Sequence, residues 1–151
     1  MSSRYVYVTY IRTTPQKLWD ALTKPEFQKQ YWFDIHQESE WKPGASWTMK
    51  FADGRVADAG EILEADPPRR AVIKWRHELR PELKAEGFGR CTYEIEPDGD
   101  VCRLTILHEI DVENSKLIEA VSGGWPRILS GLKTLLEGGA PLPRTHPKPA
   151  A

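Results

Sequence analysis

The chain has 151 residues, 40% of them hydrophobic and 28% charged, with a formal net charge of −1. That length suits one domain whose core needs neither metal nor disulfide staples, and the near-neutral charge argues against a nucleic-acid partner or an anionic membrane surface, both of which want a basic face. No apolar run approaches the ~18–20 residues that span a bilayer, so membrane insertion is not expected; Met1-Ser2-Ser3-Arg4 leads straight into a strand, and the cytoplasm is the expected address.

Residues 5–12 alternate β-branched and aromatic side chains and form a first strand, with the inward face open because Tyr5 and Tyr7 are about as apolar as Val6 and Val8. Thr13-Thr14-Pro15 opens a helix to about residue 22 that buries Leu18, Trp19 and Leu22. Lys24-Pro25-Glu26 breaks it and starts a second short helix to about Trp32. A strand over about 35–41 leads to a turn at Lys42-Pro43-Gly44. Residues 46–52 and 56–65 form a hairpin around Asp53-Gly54, with Trp47, Met49 and Phe51 on one face. Asp66-Pro67-Pro68 turns into a strand over 70–79 whose odd positions Ala71, Ile73, Trp75, His77 and Leu79 are largely apolar, and 80–86 reads as a polar loop.

The next hairpin turns at Asp98-Gly99, so that position i faces 197 − i. Cys91, Tyr93 and Ile95 then share the inward face with Cys102, Leu104, Ile106, His108 and Ile110. The two cysteines fall several residues out of register, too far apart to bridge, and read as buried thiols. The last element, over 114–137, carries Leu117, Ile118, Val121, Trp125, Ile128, Leu132 and Leu135 at alternating spacings of three and four, which is one stripe of an α-helix. Asn114 or Ser115 can cap its start, and Gly138-Gly139 stops it. Inside it, Gly123-Gly124-Trp125-Pro126 predicts a kink; the glycines could also thin the helix beside a cavity walled by Trp125. The ordered domain is expected over residues 1–138, and the proline-rich segment 139–151 as a loose tail.

The order β-α-α-β-β-β-β-β-β-α is an α+β chain in which a one-sided antiparallel sheet closes over the last helix. A curved sheet cannot lie flush on a straight rod, so a gap between them is a physical expectation. The expected pocket wall is Trp32, Trp47, Met49, Trp75, His77, Tyr93, His108 and Trp125, mostly apolar with sparse polar contacts. Any one of these could simply be core, and His77 and His108 must each find a hydrogen-bond partner wherever they are buried. Asp58, facing Met49, could pair with a histidine as acid and base, but a carboxylate at the wet rim is the preferred reading. No His/Cys/carboxylate cluster has metal-ligand spacing, and phosphate-cradling glycine loops and serine-nucleophile motifs are lacking, so no metal, cofactor or catalytic residue is assigned.

Several segments, taken in order, resemble a known family: TTPQKLWDALTKPEFQKQYWF after the first strand, WKPGASWTMKFADG, GEILEADPPRRAVIKWRH and the final GGWPRILSGLKTLLEGG. Together they cover roughly residues 5–138 and are similar to START-like (SRPBCC, birch-pollen-allergen-like) domains, in particular the branch named after the C-terminal domain of the activator of the Hsp90 ATPase. The resemblance implies the helix-grip fold, a seven-stranded antiparallel sheet gripping a long C-terminal helix around an apolar cavity. Members of this fold include lipid and steroid carriers, cyclases and aromatases, and chaperone activators, so fold alone does not select a function. The first expectation is a module binding a small hydrophobic ligand in that cavity; a cyclase- or aromatase-type enzyme is the second. A chaperone partner ranks last, since the activators carry a further N-terminal domain and this sequence starts at the first strand. A homodimer is compatible with the sequence.

Overall fold

The computed structural model describes residues 2–139. The expected tail over 139–151 lies outside them apart from Gly139. Seven strands are joined in the order β1-β7-β6-β5-β4-β3-β2, every neighbouring pair antiparallel. They are β1 (Ser3–Ile11), β2 (Ile35–Ser39), β3 (Ser46–Phe51), β4 (Val56–Asp66), β5 (Arg70–His77), β6 (Gly89–Asp98) and β7 (Val101–Ile110). Helices α1 (Pro15–Thr23) and α2 (Pro25–Tyr31) follow β1, a short α3 (Pro81–Lys84) follows β5, and α4 (Lys116–Leu136) closes the chain. This is the helix-grip α+β architecture that the element order and the resemblance imply.

Local chemistry explains the starts and stops. Pro15 sits in the first turn of α1, and the Thr14 side chain accepts from the Lys17 amide. At α4, Ser115 Oγ accepts from Ile118 N at 3.1 Å and donates to Glu86 Oε1 at 2.6 Å, while Glu86 Oε2 accepts from Lys116 N at 2.8 Å. An acidic side chain from before β6 thus meets the positive end of the long helix and ties it to the sheet. Burial opposes charge on Glu86, but these hydrogen bonds outweigh it and hold its pKa below the ordinary glutamate value.

The structure settles three points that the sequence pattern left open or misplaced. On β1 the odd positions turn inward, leaving Val6 50% and Val8 46% exposed. Residues 80–86 are not wholly loop: α3 forms within them and buries Leu83. The hairpin of β6 and β7 pairs Asp98 with Val101 and turns at Gly99-Asp100, so the register sum is 199 rather than 197. Cys91 therefore faces His108, and Cys102 faces Pro97. A shift of two keeps every residue on its own face, which is why the hydrophobic pattern could not detect it; Gly99 supplies the positive φ, 62°, that the turn needs. Both cysteines are buried thiols. As the apolar stripe implies, α4 runs as one helix through Pro126.

Gly60 carries a constraint of its own. A Cβ there would lie 1.7 Å from the Lys74 carbonyl oxygen, so β4 and β5 can approach only where β4 has no side chain. The bulges lie elsewhere, between Met49 and Lys50 opposite β4 and between Ile62 and Glu64 opposite β5.

The inner face of the sheet, α1, α2 and α4 enclose one continuous aromatic core. Within it a polar hub is fully buried. Gln37 Oε1 accepts from Trp47 Nε1 at 2.9 Å and from Tyr93 OH at 3.2 Å, and its backbone amide donates to Gln28 Oε1 at 2.6 Å. The Gln28 amide group in turn donates to the Leu22 carbonyl at 2.7 Å, joining β2, β3 and β6 to the end of α1. Gln37→Leu leaves two buried donors without an acceptor, each costing ~1–3 kcal/mol. The variant should lose about 2–4 kcal/mol in urea denaturation; a loss below ~1 kcal/mol would show that the hub is not what holds these strands to α1.

Candidate functional site

Between the sheet and α4 lies an open cavity of about 670 Å³, a size suited to a small organic molecule. Each element contributes through its own periodicity. The inward alternation of β5 presents Trp75 and His77, and β4 presents Asp58 directly opposite His77 and also opposite Met49 of β3. Trp32 enters from the end of α2, Leu83 from α3, and Trp125 with Gly123 and Gly124 from α4. A Cβ built on either glycine meets nothing within 4 Å, so these residues face open space rather than a packed neighbour. The glycines therefore thin the helix where it borders the cavity.

Of the eight residues expected on the wall, Trp32, Met49, Trp75, His77 and Trp125 line the cavity. Trp47, Tyr93 and His108 do not. Trp47 and Tyr93 are spent on the Gln37 hub, and His108 lies behind two indoles, its ring centroid 4.7 Å from Trp75 and 6.3 Å from Trp125. All three positions are inward, but a strand's inward face includes packed core as well as cavity, and periodicity cannot divide the two.

Asp58 corrects the preference for a wet rim, since it is only 7% exposed and lines the cavity. Its Oδ2 accepts from Trp75 Nε1 at 2.7 Å and lies 3.3 Å from His77 Nδ1. The carboxylate acceptor places a proton on His77 Nδ1, and His77 Nε2 is buried without a partner. The pair therefore has the contact of an acid–base couple, while the ring nitrogen that would exchange a proton with a substrate is closed off. Arg80 and Arg127 complete the lining on its exposed side, and Arg80 Nε donates to Glu82 at 2.7 Å. Sequence reasoning missed Arg80 and Leu83 because α3 reads as loop; the available signal was Pro81, which can open a helix. Arg127 lies off the apolar stripe of α4 and carried none. Among the described residues no group of three or more His, Cys, Asp or Glu could hold a metal ion. Also among them, no helix is long and apolar enough to cross a membrane.

His108 belongs to the support behind the site. Trp125 Nε1 donates to its Nδ1 at 3.2 Å, which puts the ring proton on Nε2, a buried atom with no partner. Burial lowers its pKa from 6.5 to about 3, so the folded protein holds it neutral as the spacer between Trp75 and Trp125.

An open antiparallel sheet gripping a long final helix, with two short helices after the first strand and a cavity between the layers, defines a helix-grip domain. The family described as Activator of Hsp90 ATPase homolog 1-like protein matches residues 12–137. The chain belongs to that family. Solved structures agree in fold. Protein MLL2253 from Mesorhizobium loti superposes with a TM-score of 0.76 at 20% identity, covering 89% of this chain and 97% of that one. The Aha1 dimer from Colwellia psychrerythraea gives 0.70 at 16%, covering 91% and 98%. PFC0360w of Plasmodium falciparum, described as an HSP90 activator, gives 0.70 at 18%, covering 88% and 95%. Identities this low establish likeness of fold alone. None of the curated proteins compared with the chain matches it.

The depressed pKa of His108 has a measurable consequence. Above pH 6.5 the histidine is neutral folded or unfolded and its contribution is fully present. As pH falls from 6.5 toward 3, the unfolded chain takes up a proton that the fold refuses, and stability drops by up to about 1.4 kcal/mol per pH unit. His108→Phe removes this component. Between pH 7 and pH 5 the wild type should lose roughly 2 kcal/mol relative to the variant in urea denaturation. A difference between the two proteins that does not change with pH would refute the neutral, buried histidine.

Proposed function

We propose that this protein is a binding module that holds a small, largely apolar molecule between its sheet and α4. The observation that carries this reading is the cavity itself, walled by Trp32, Met49, Trp75 and Trp125 and bordered on α4 by two glycines without side chains. A helix interior gains about 1 kcal/mol per residue from replacing glycine with alanine, and neither position meets an obstacle to a Cβ. The chain forgoes that stability at two positions that border the cavity. Asp58, held from behind by His77 Nδ1, then orients one polar group of the ligand. His108, expected beside them, supports the wall from behind.

The cyclase-type alternative needs an inward group that moves a proton. His77 Nε2 is buried without a partner, and His108 is held neutral by burial, so neither histidine offers an exposed proton carrier, and that role would fall to Asp58, which lines the cavity. A chaperone-partner reading draws support from the family's description and from the HSP90 activator among the similar structures. It requires stimulated ATP hydrolysis by a partner chaperone that persists when the cavity is filled.

Gly124→Leu tests the cavity as the binding site. The substitution should leave thermal stability equal or raised, because helix propensity improves and the side chain enters open space. Binding of an apolar dye such as Nile red, followed by its fluorescence and by quenching of the wall tryptophans, should weaken at least ~tenfold. Unchanged dye affinity in a folded Gly124→Leu protein would remove the cavity as the binding site.

A further inference from the structure

Resting on that reading of the cavity, we propose that its ligand is an organic amine. An apolar body would carry a primary or secondary ammonium group that docks on Asp58. Asp58 is the one carboxylate among the described residues that line the cavity. Both of its hydrogen bonds from protein end on Oδ2, from Trp75 Nε1 at 2.7 Å and His77 Nδ1 at 3.3 Å. Oδ1 accepts no bond from the protein, yet it is not among the sealed, unpartnered buried atoms. It is the oxygen left accessible on a residue that is otherwise 93% enclosed, since only 7% of its surface remains exposed.

A carboxylate oxygen accepts and never donates, so Oδ1 asks for an N–H or O–H donor, and a charged donor makes the stronger bond. The immediate protein partners do not supply a fixed balancing charge. Trp75 donates a neutral N–H. His77 donates through Nδ1 alone, its Nε2 lying buried without a partner. A carboxylate held this deep is costly unless a cation meets it, and a ligand ammonium would be that cation.

The walls suit the same group. The rings of Trp75 and Trp125 are 6.1 Å apart and tilted by 63°, and those of Trp32 and Trp125 are 5.4 Å apart and tilted by 66°. Trp125 is thus inclined to both Trp75 and Trp32, Trp75 itself bonds the carboxylate, and indole is the ring whose face attracts cations best. Leu83, Ile128 and Met49 leave room for the apolar body. On the exposed side, Arg80 and Arg127 would instead favour a ligand with an acidic head. The head group is therefore the variable to test.

Isothermal titration of the wild-type protein with phenylbutylamine, phenylbutanol and phenylbutyrate holds the apolar body constant. The amine should bind at least ~tenfold more tightly than either of the others. Asp58→Asn keeps an oxygen acceptor for Trp75 Nε1, removes the charge and puts an NH2 donor where Oδ1 accepts, a group to which an alcohol can still bond but an ammonium cannot. It should abolish the amine's advantage while changing phenylbutanol affinity by less than ~threefold. Equal or tighter binding of the alcohol or the carboxylate by the wild type overturns the proposal, and so does an amine preference that survives in Asp58→Asn. If none of the three binds while Nile red does, the amine is wrong and the binding module stands. If Nile red fails as well, both fall together.

Discussion

The structure depends on one geometric mismatch. A helix of 21 residues follows a single axis direction from end to end, while seven antiparallel strands twist relative to one another, so the two surfaces can touch along only part of their length. Helix α4 lies closest to β1 and is tied there through Lys133 Nζ on the Tyr10 carbonyl and Glu137 on the Arg12 amide. Its other end is held by Glu86 at the N-terminus. Anchored at both ends, the rod stands off from β4 and β5. The space that remains could have been filled by large side chains, but the helix offers Gly123 and Gly124 there instead.

The polar groups divide along the same line. On the packed side, Gln37 satisfies Trp47 and Tyr93 at once and the buried side chains leave no opening. On the cavity side, Asp58 takes up Trp75 and His77 through a single oxygen and keeps the other accessible. Each arrangement uses an indole N–H and an acceptor from a neighbouring strand. They differ in what remains after the protein's own bonds are made. A completed network holds the strands to the helices, whereas an incomplete one beside open space has capacity for a ligand.

Membership of the Activator of Hsp90 ATPase homolog 1-like family follows from the match over residues 12–137, and the fold follows from the topology. Neither selects what the cavity holds, because the strands and helices that make the fold are set by apolar periodicity, and the cavity by a handful of side chains that periodicity does not rank. Among the similar structures are an HSP90 activator and a dimer, properties of those proteins that share this backbone at 18% and 16% identity. At such distances the lining residues are free to differ while the grip of sheet on helix is kept.

The sequence by itself determined the seven strands, three of the four helices, their order and most inward faces, because alternation in strands, the three-four stripe in α4 and the proline and glycine boundaries act over a few neighbouring residues. Those signals placed Trp75, His77 and Trp125 on the inner surface and put Met49 across from Asp58. Only the tertiary structure decided which inward residues meet space and which meet protein. Trp47, Tyr93 and His108 carry the same periodic signature as Trp75 but pack against partners brought from distant parts of the chain. The hairpin at Gly99 slipped by two residues without any change of face, so burial could not record it. Leu83 and Arg80 reach the cavity because α3 forms against α4, a contact between segments some thirty residues apart that no local pattern encodes.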